Sequence, residues 1–266
     1  MQKTAAILAM MLGGGLCLAG ERSGKAEVDL ISSASAYQAG HPLMVGVRMK
    51  IDPGWHTYWT NPGEGGMPIS VKWKLPEGWE AGPVLHPVPI SFKTGDLPGY
   101  GYEGQVILPV FLTPGPEGGG KVSLAAEVAW LTCDDSACVP GDATLSLDLD
   151  AGAGEPTPEA VEIEAALDRV PQPMDGASLV VKEEAGKLLL TARLPAELDA
   201  SGASWMPATP SVVDLAEPIQ AVRDGDSWTA TVKKHEYASG PATALELVLS
   251  GGKLQAPLLL SWEKDP

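Results

Sequence analysis

The chain has 266 residues, 44% of them hydrophobic, which is enough for two domains of ordinary size. It carries 18 Lys+Arg against 34 Asp+Glu, a formal net charge of −16, so phosphate backbones and anionic lipid surfaces repel it and nucleic-acid binding is excluded. Beyond the N-terminus no segment approaches the ~20 consecutive apolar residues that cross a bilayer.

Lys3 precedes an apolar run from Thr4 to Ala19, and the chain turns polar at Glu21-Arg22-Ser23, the pattern of a secretory signal peptide over residues 1–20. Cleavage there removes Cys17 and leaves an even pair, Cys133 and Cys138, in an exported protein, where disulfides form and persist. Lipidation at Cys17 is disfavoured because Gly14-Gly15-Leu16 lacks the small residue expected immediately before a lipidated cysteine.

From residue 26 to 150 short alternating apolar runs are separated by Gly and Pro: Leu43–Met49, Ser70–Leu75, Val106–Leu112, Val122–Val128 and Thr144–Leu149. A period of two makes one face of each strand apolar, to be buried against a second sheet, so the prediction is a β-sandwich. Among these runs lie two aromatic motifs, one with Trp55, Tyr58 and Trp59 and one with Tyr100 and Tyr102. Residues 151–172 read as a small-residue linker, Ala151–Pro158, and a short helix opened and capped at Thr157-Pro158-Glu159 and running to about Val170, where Pro171 and Pro173 stop it. Residues 173–266 repeat the strand pattern at Leu179–Lys182, Lys187–Arg193, Trp228–Val232, Leu245–Leu249 and Ala256–Trp262, giving a second β-rich domain.

The cysteines stand five apart in Trp130-Leu-Thr-Cys133-Asp-Asp-Ser-Ala-Cys138-Val-Pro140. A disulfide between them closes a ring of about 6 residues, and loop entropy values that at only ~2 kcal/mol, against ~4–5 kcal/mol for a loop of about 100 residues. It is a poor staple, so the spacing points to thiol-disulfide exchange, which needs one thiol to form a mixed disulfide and a second to resolve it. Spacing does not say which cysteine does which. Asp134 and Asp135 inside the ring put negative charge where a thiolate would form and disfavour it. His41, His56, His86 and His235 show no metal-ligand spacing, and Met44 and Met49 form no Met-rich cluster, so no metal or other cofactor is expected.

Gly54-Trp-His-Thr-Tyr-Trp-Thr-Asn-Pro-Gly63, then Gly99-Tyr-Gly-Tyr-Glu-Gly-Gln-Val-Ile-Leu-Pro-Val110, then Cys133-x4-Cys138-Val-Pro140 resemble, in that order, the periplasmic N-terminal domain of the DsbD protein-disulfide reductase family, most closely its suppressor-of-copper-sensitivity B branch. Trp205-Met-Pro207 and Leu215–Gln220 extend the resemblance over most of residues 26–262. It implies an immunoglobulin-like redox domain in the periplasm. Such a domain takes electrons from a thioredoxin-like donor linked to a membrane electron transporter and passes them to a periplasmic disulfide isomerase or reductase. The chain shows neither a multi-span membrane domain nor a Cys-x-x-Cys domain, so the resemblance implies that other proteins supply the electrons.

By the same resemblance Cys138 makes the intermolecular bond and Cys133 resolves it. A cap loop covers the pair, best matched by Gly95–Tyr102 with Asp96, Tyr100 and Tyr102, while Trp55, Tyr58, Trp59 and Pro140 support the site. The competing expectation is a non-catalytic partner-binding or copper-tolerance module whose disulfide merely pins a turn.

Overall fold

The computed structural model describes residues 20–116 and 119–264; the expected leader, Cys17 included, lies outside the described residues apart from Gly20. Among the described residues no helix is long and apolar enough to cross a membrane.

The first half is a sandwich of two sheets. One is five-stranded, in the order Glu21–Ser23, Ala26–Ser32, Leu43–Ile51, Gln105–Thr113, Glu80–Ala81. The other is seven-stranded, running Ala36–Tyr37, Cys138–Ala151, Val122–Cys133, His56–Tyr58, Leu97–Glu103, Ile90–Thr94, with Ser70–Lys74 also paired to Val122–Cys133. The pairing is antiparallel except where Ala36–Tyr37 joins Cys138–Ala151. Alternation does what the sequence implies: Leu124, Ala126, Val128 and Trp130 of one strand point inward, Leu124 packing with Leu43 and Val45 and the other three with Val47 and Met49 from the facing sheet. Trp130 is seated on Gly141 of the neighbouring strand, where a Cβ would lie 2.5 Å from the indole.

Gln105–Thr113 carries apolar residues on both faces because the helix Ala160–Leu167 covers the outer one, while the outer face of Leu43–Ile51 turns charged at Arg48 and Lys50. Ile163 is packed there between Ile31 and Ile107, over Gly46, whose absent side chain makes the room. The helix is shorter than the sequence suggests, and Thr157 does not cap it. The first-turn N–H groups find no side-chain cap at Glu159, and the Thr157 hydroxyl instead donates to the Ser32 carbonyl. The expected linker is likewise stitched to the first sandwich, through Ser35 N–H to the Glu155 carbonyl (2.9 Å), Glu155 N–H to Ser35 Oγ (3.0 Å) and Thr157 N–H to the Ser33 carbonyl (3.1 Å).

The second half is also a β-sandwich, with a four-stranded sheet (Ser178–Glu184, Lys187–Arg193, Ser227–Lys233, Val222–Asp224) facing a three-stranded one (Ser204–Pro207, Ala244–Ser250, Leu258–Glu263). The three-stranded sheet is buried on both faces. Trp205, Leu247, Leu249, Leu258 and Leu260 enter the core of the second sandwich, whereas Met206, Val248 and Leu259, directly opposite one another across the three strands, join the core of the first. Asn61, 3% exposed, fastens the joint: its Nδ2 donates to the buried Pro207 carbonyl (2.8 Å) and its Oδ1 accepts from Gly63 N–H (3.3 Å). Asn61→Ala orphans both groups and is expected to cost about 1–3 kcal/mol, read as a lowered urea midpoint. Asn61→Asp, which keeps only the acceptor and buries a charge, is expected to cost more.

His86 makes the fold acid-sensitive. Its Nδ1 is shut off from solvent without a partner, and burial pushes its pKa down from 6.5 to about 4. The unfolded imidazole therefore takes up its proton first as the pH falls. This contribution to stability is whole above pH 6.5 and drains away as the pH drops toward about 4. Discounted for the ring's partial exposure, the loss is about 2 kcal/mol. Denaturant midpoints across that range should show it, and His86→Leu should flatten the slope.

Candidate functional site

The chemistry gathers at the end of the hairpin formed by Val122–Cys133 and Cys138–Ala151. Cys133 and Cys138 are the last directly opposite pair of that ladder, with Cα atoms 4.1 Å apart, and a disulfide joins them. The four residues between them form a tight turn organised by Asp134. Its Oδ1 accepts from Ser136 N–H, Ser136 Oγ–H and Ala137 N–H, each at 2.8 Å, and its own N–H donates to the Ala137 carbonyl (3.0 Å). The bond from Ser136 N–H, then the others, hold the Asp134 carboxyl below the usual carboxylate range. Thr132 Oγ1 donates to the Val139 carbonyl and Thr57 Oγ1 to the Leu131 carbonyl, both at 3.0 Å, fixing the strands on either side of the cysteines. The two sulfurs differ in access: Cys133 is 0% exposed, whereas Cys138 lies at the surface.

Register extends the site across the sheet. Cys133 is opposite His56, and His56 is opposite Glu103, so Cys138, Cys133, His56 and Glu103 form one row across four strands, all on the same face. The next row, Thr57 and Tyr102, points to the other face, as does Tyr100. This alternation decides where the two tyrosines go. Tyr100 and Tyr102 are 8% and 6% exposed and belong to the sandwich core. Tyr100 packs edge-on against Trp59 at 6.0 Å, and the Tyr102 hydroxyl donates to the Pro87 carbonyl (2.8 Å). Burial pushes the Tyr100 hydroxyl up to about 12 and raises that of Tyr102 as well.

The segment Gly95–Tyr102 is therefore not a free loop over the disulfide. Leu97–Glu103 is paired on both sides, with His56–Tyr58 and with Ile90–Thr94, and only Gly95 and Asp96 form an exposed turn. The aromatic residue on the cysteine face is Phe92. Gly99 and Gly101 point outward beneath its ring, which a Cβ would meet at 3.2 Å and 2.9 Å respectively. Phe92 lies on His56 with ring centres 3.9 Å apart, and Thr94 Oγ1 is 3.0 Å from His56 Nε2. His56 is 5% exposed, and burial lowers its pKa against the opposing pull of Glu103, Asp135 and Asp134.

Of the supporting residues, Trp55 is half-buried beneath the Lys25 ammonium, 5.1 Å from its ring centre. Tyr58 is buried on the His56 face, against Phe92 and the backbone of Gly66, and Trp59 is in the core. Pro140, opposite Leu131, is an exposed strand residue two positions past Cys138. An open cleft of about 420 Å³ borders the cysteine turn, lined by His56, Phe92, Lys93, Glu103, Asp134 and Asp135 among others. Among the described residues no three His, Cys, Asp or Glu side chains converge as a metal centre.

Sequence reasoning missed His56, Phe92, Thr94 and Glu103 as members of the site. Their signal was the Gly-Tyr-Gly-Tyr alternation, which requires a strand with bulky residues on one face and room on the other.

Residues 27–150 match the family model described as the N-terminal domain of thiol:disulfide interchange protein DsbD. Among solved structures, the N-terminal periplasmic domain of ScsB from Proteus mirabilis is similar in fold, with a TM-score of 0.62 at 22% identity over 90% of this chain and 93% of that one. No curated protein matches the sequence.

Proposed function

Residues 27–150 belong to the DsbD N-terminal family, a thiol:disulfide interchange domain with its disulfide in place, and from this we propose that the chain is a periplasmic electron carrier that reduces protein disulfides. The observation that carries the reading is the pairing of an exposed Cys138 with a fully buried Cys133 in a ring too small to matter as a staple. A thioredoxin-like donor, recharged by a membrane electron transporter, attacks Cys138 Sγ; the Cys133–Cys138 bond breaks, and the second donor thiol releases the reduced pair. In the delivery half, the Cys138 thiolate attacks a disulfide of a periplasmic isomerase or reductase and forms a mixed disulfide. Cys133 then attacks Cys138 Sγ, the acceptor leaves as a dithiol, and the original disulfide returns.

Asp134 and Asp135 beside the pair work against thiolate and so favour the disulfide form, which suits a carrier that gives electrons away. The test is equilibration of the full chain with glutathione buffers, then mixing of the reduced form with an oxidised Cys-x-x-Cys isomerase. Electron transfer to the isomerase is expected. A potential as oxidising as ~−120 mV would reverse the direction, and failure to exchange with any thioredoxin-like protein would leave the disulfide a pin in a turn.

A further inference from the structure

Delivery of electrons requires Cys133 to lose a proton before it can attack, and its surroundings make that difficult. The residue is 0% exposed, so bulk water does not reach it. The charged groups around it are mostly acidic: Glu103 from two strands away and Asp134 and Asp135 from the turn. Lys93 lines the same cleft, and the Lys25 charge adds to the lowering of the Asp134 carboxyl. The three hydrogen bonds to Asp134 Oδ1 hold its carboxyl below the usual range, which makes it a poor proton acceptor. Tyr58, buried beside the imidazole, is a phenol that carries its own proton.

His56 is the base that register sets directly beside Cys133, whereas Glu103 lies one strand further on and Asp135 is exposed in the turn. His56 is directly opposite Cys133 on the same face, a relation that puts Cβ atoms about 5 Å apart. Its ring is held on one face by Phe92 and at Nε2 by Thr94. In the tautomer whose Nε2–H donates to Thr94 Oγ1, the lone pair rests on Nδ1 and can take a proton. Burial keeps the imidazole in its neutral, proton-accepting form.

We propose that His56 is the proton acceptor for Cys133 in the resolving step. As Cys133 Sγ attacks Cys138 Sγ, its proton passes to the imidazole, the bond between Cys138 and the acceptor breaks, and the electron pair leaves on the acceptor sulfur. In the loading direction the imidazolium returns the proton to Cys133 as the donor thiolate displaces it. One proton and two electrons move each way, and no further reagent is needed. Thr94 acts through His56 as a positioning residue by holding the ring at Nε2.

This rests on the exchange reading above, yet its test needs no protein partner. Oxidised glutathione is presented to the reduced full chain, and release of the second glutathione thiol from the Cys138 mixed disulfide is followed across pH. His56→Gln is expected to slow release about 10²-fold near neutral pH. The deficit should narrow as the pH rises past the ordinary thiol value of about 8.5, as a growing share of Cys133 ionises unaided. Thr94→Val should give a smaller loss of the same shape. His56→Phe, which retains the stack on Phe92, serves if the Gln variant does not fold, and should behave like it. Unchanged release near neutral pH, or an equal slowing at every pH, overturns the proposal. A His56-dependent profile in a chain that exchanges with no thioredoxin-like protein would instead reject the electron-carrier reading and leave His56 in its role.

Discussion

Cys138→Ala abolishes disulfide exchange, whereas Cys133→Ala stops half-way, as a covalent adduct with the partner: these are the expected outcomes of removing each sulfur. The asymmetry follows from access, because an incoming protein reaches Cys138 at the surface and cannot reach Cys133, which is wholly buried. Without Cys133 the mixed disulfide has nothing to resolve it and accumulates. Neither variant should unfold, since the lost ring constraint is worth only ~2 kcal/mol. Non-reducing electrophoresis and mass spectrometry of the trapped species read both outcomes. Adducts formed through Cys133 in a Cys138→Ala protein would exchange the two roles.

The largest effect away from the cysteines is expected at Gly101. A Cβ there would lie 1.8 Å from the Thr57 carbonyl oxygen and 2.9 Å from the Phe92 ring. The first is backbone and cannot swing aside, so Gly101→Ala must push apart Leu97–Glu103 and His56–Tyr58, the two strands that carry Glu103 and His56. We expect a loss of about 3 kcal/mol or more. Gly104 is the matched control. It has a φ of 65° but open space around its Cβ position, so Gly104→Ala should cost only about 1 kcal/mol of left-handed strain. Denaturant midpoints that fail to separate the two would mean the strands yield more easily than their pairing implies.

Local pattern was enough to read the cysteine pair and the period-two strands, because each is written in neighbouring residues. Lys187–Arg193, for example, alternates in sequence and is a strand with those bounds in space. What pattern could not supply was register. Nothing near His56 in the chain says that it will sit beside Cys133, far along the sequence, since that depends on how two strands slide past one another. Gly95–Tyr102 departs from the cap loop of the resemblance for a different reason: Gly99 and Gly101 are small so that Phe92 can lie over them in a paired strand. Val248 also carried an overlooked signal: an apolar residue that breaks the alternation of Leu245–Leu249 marks a strand covered on both faces.

That doubly covered sheet makes the obvious place to divide the protein the wrong one. A fragment ending near Ala151 would lay open the part of the first core that Met206 and Val248 complete, beside Asn61, and one beginning near Pro173 would bare Met206, Val248 and Leu259. Each piece would carry a sticky face and seek another copy to cover it. In the intact chain the two halves should melt as one cooperative unit, with the amides of Ala244–Ser250, in the middle of the shared sheet, among the last to exchange with deuterium.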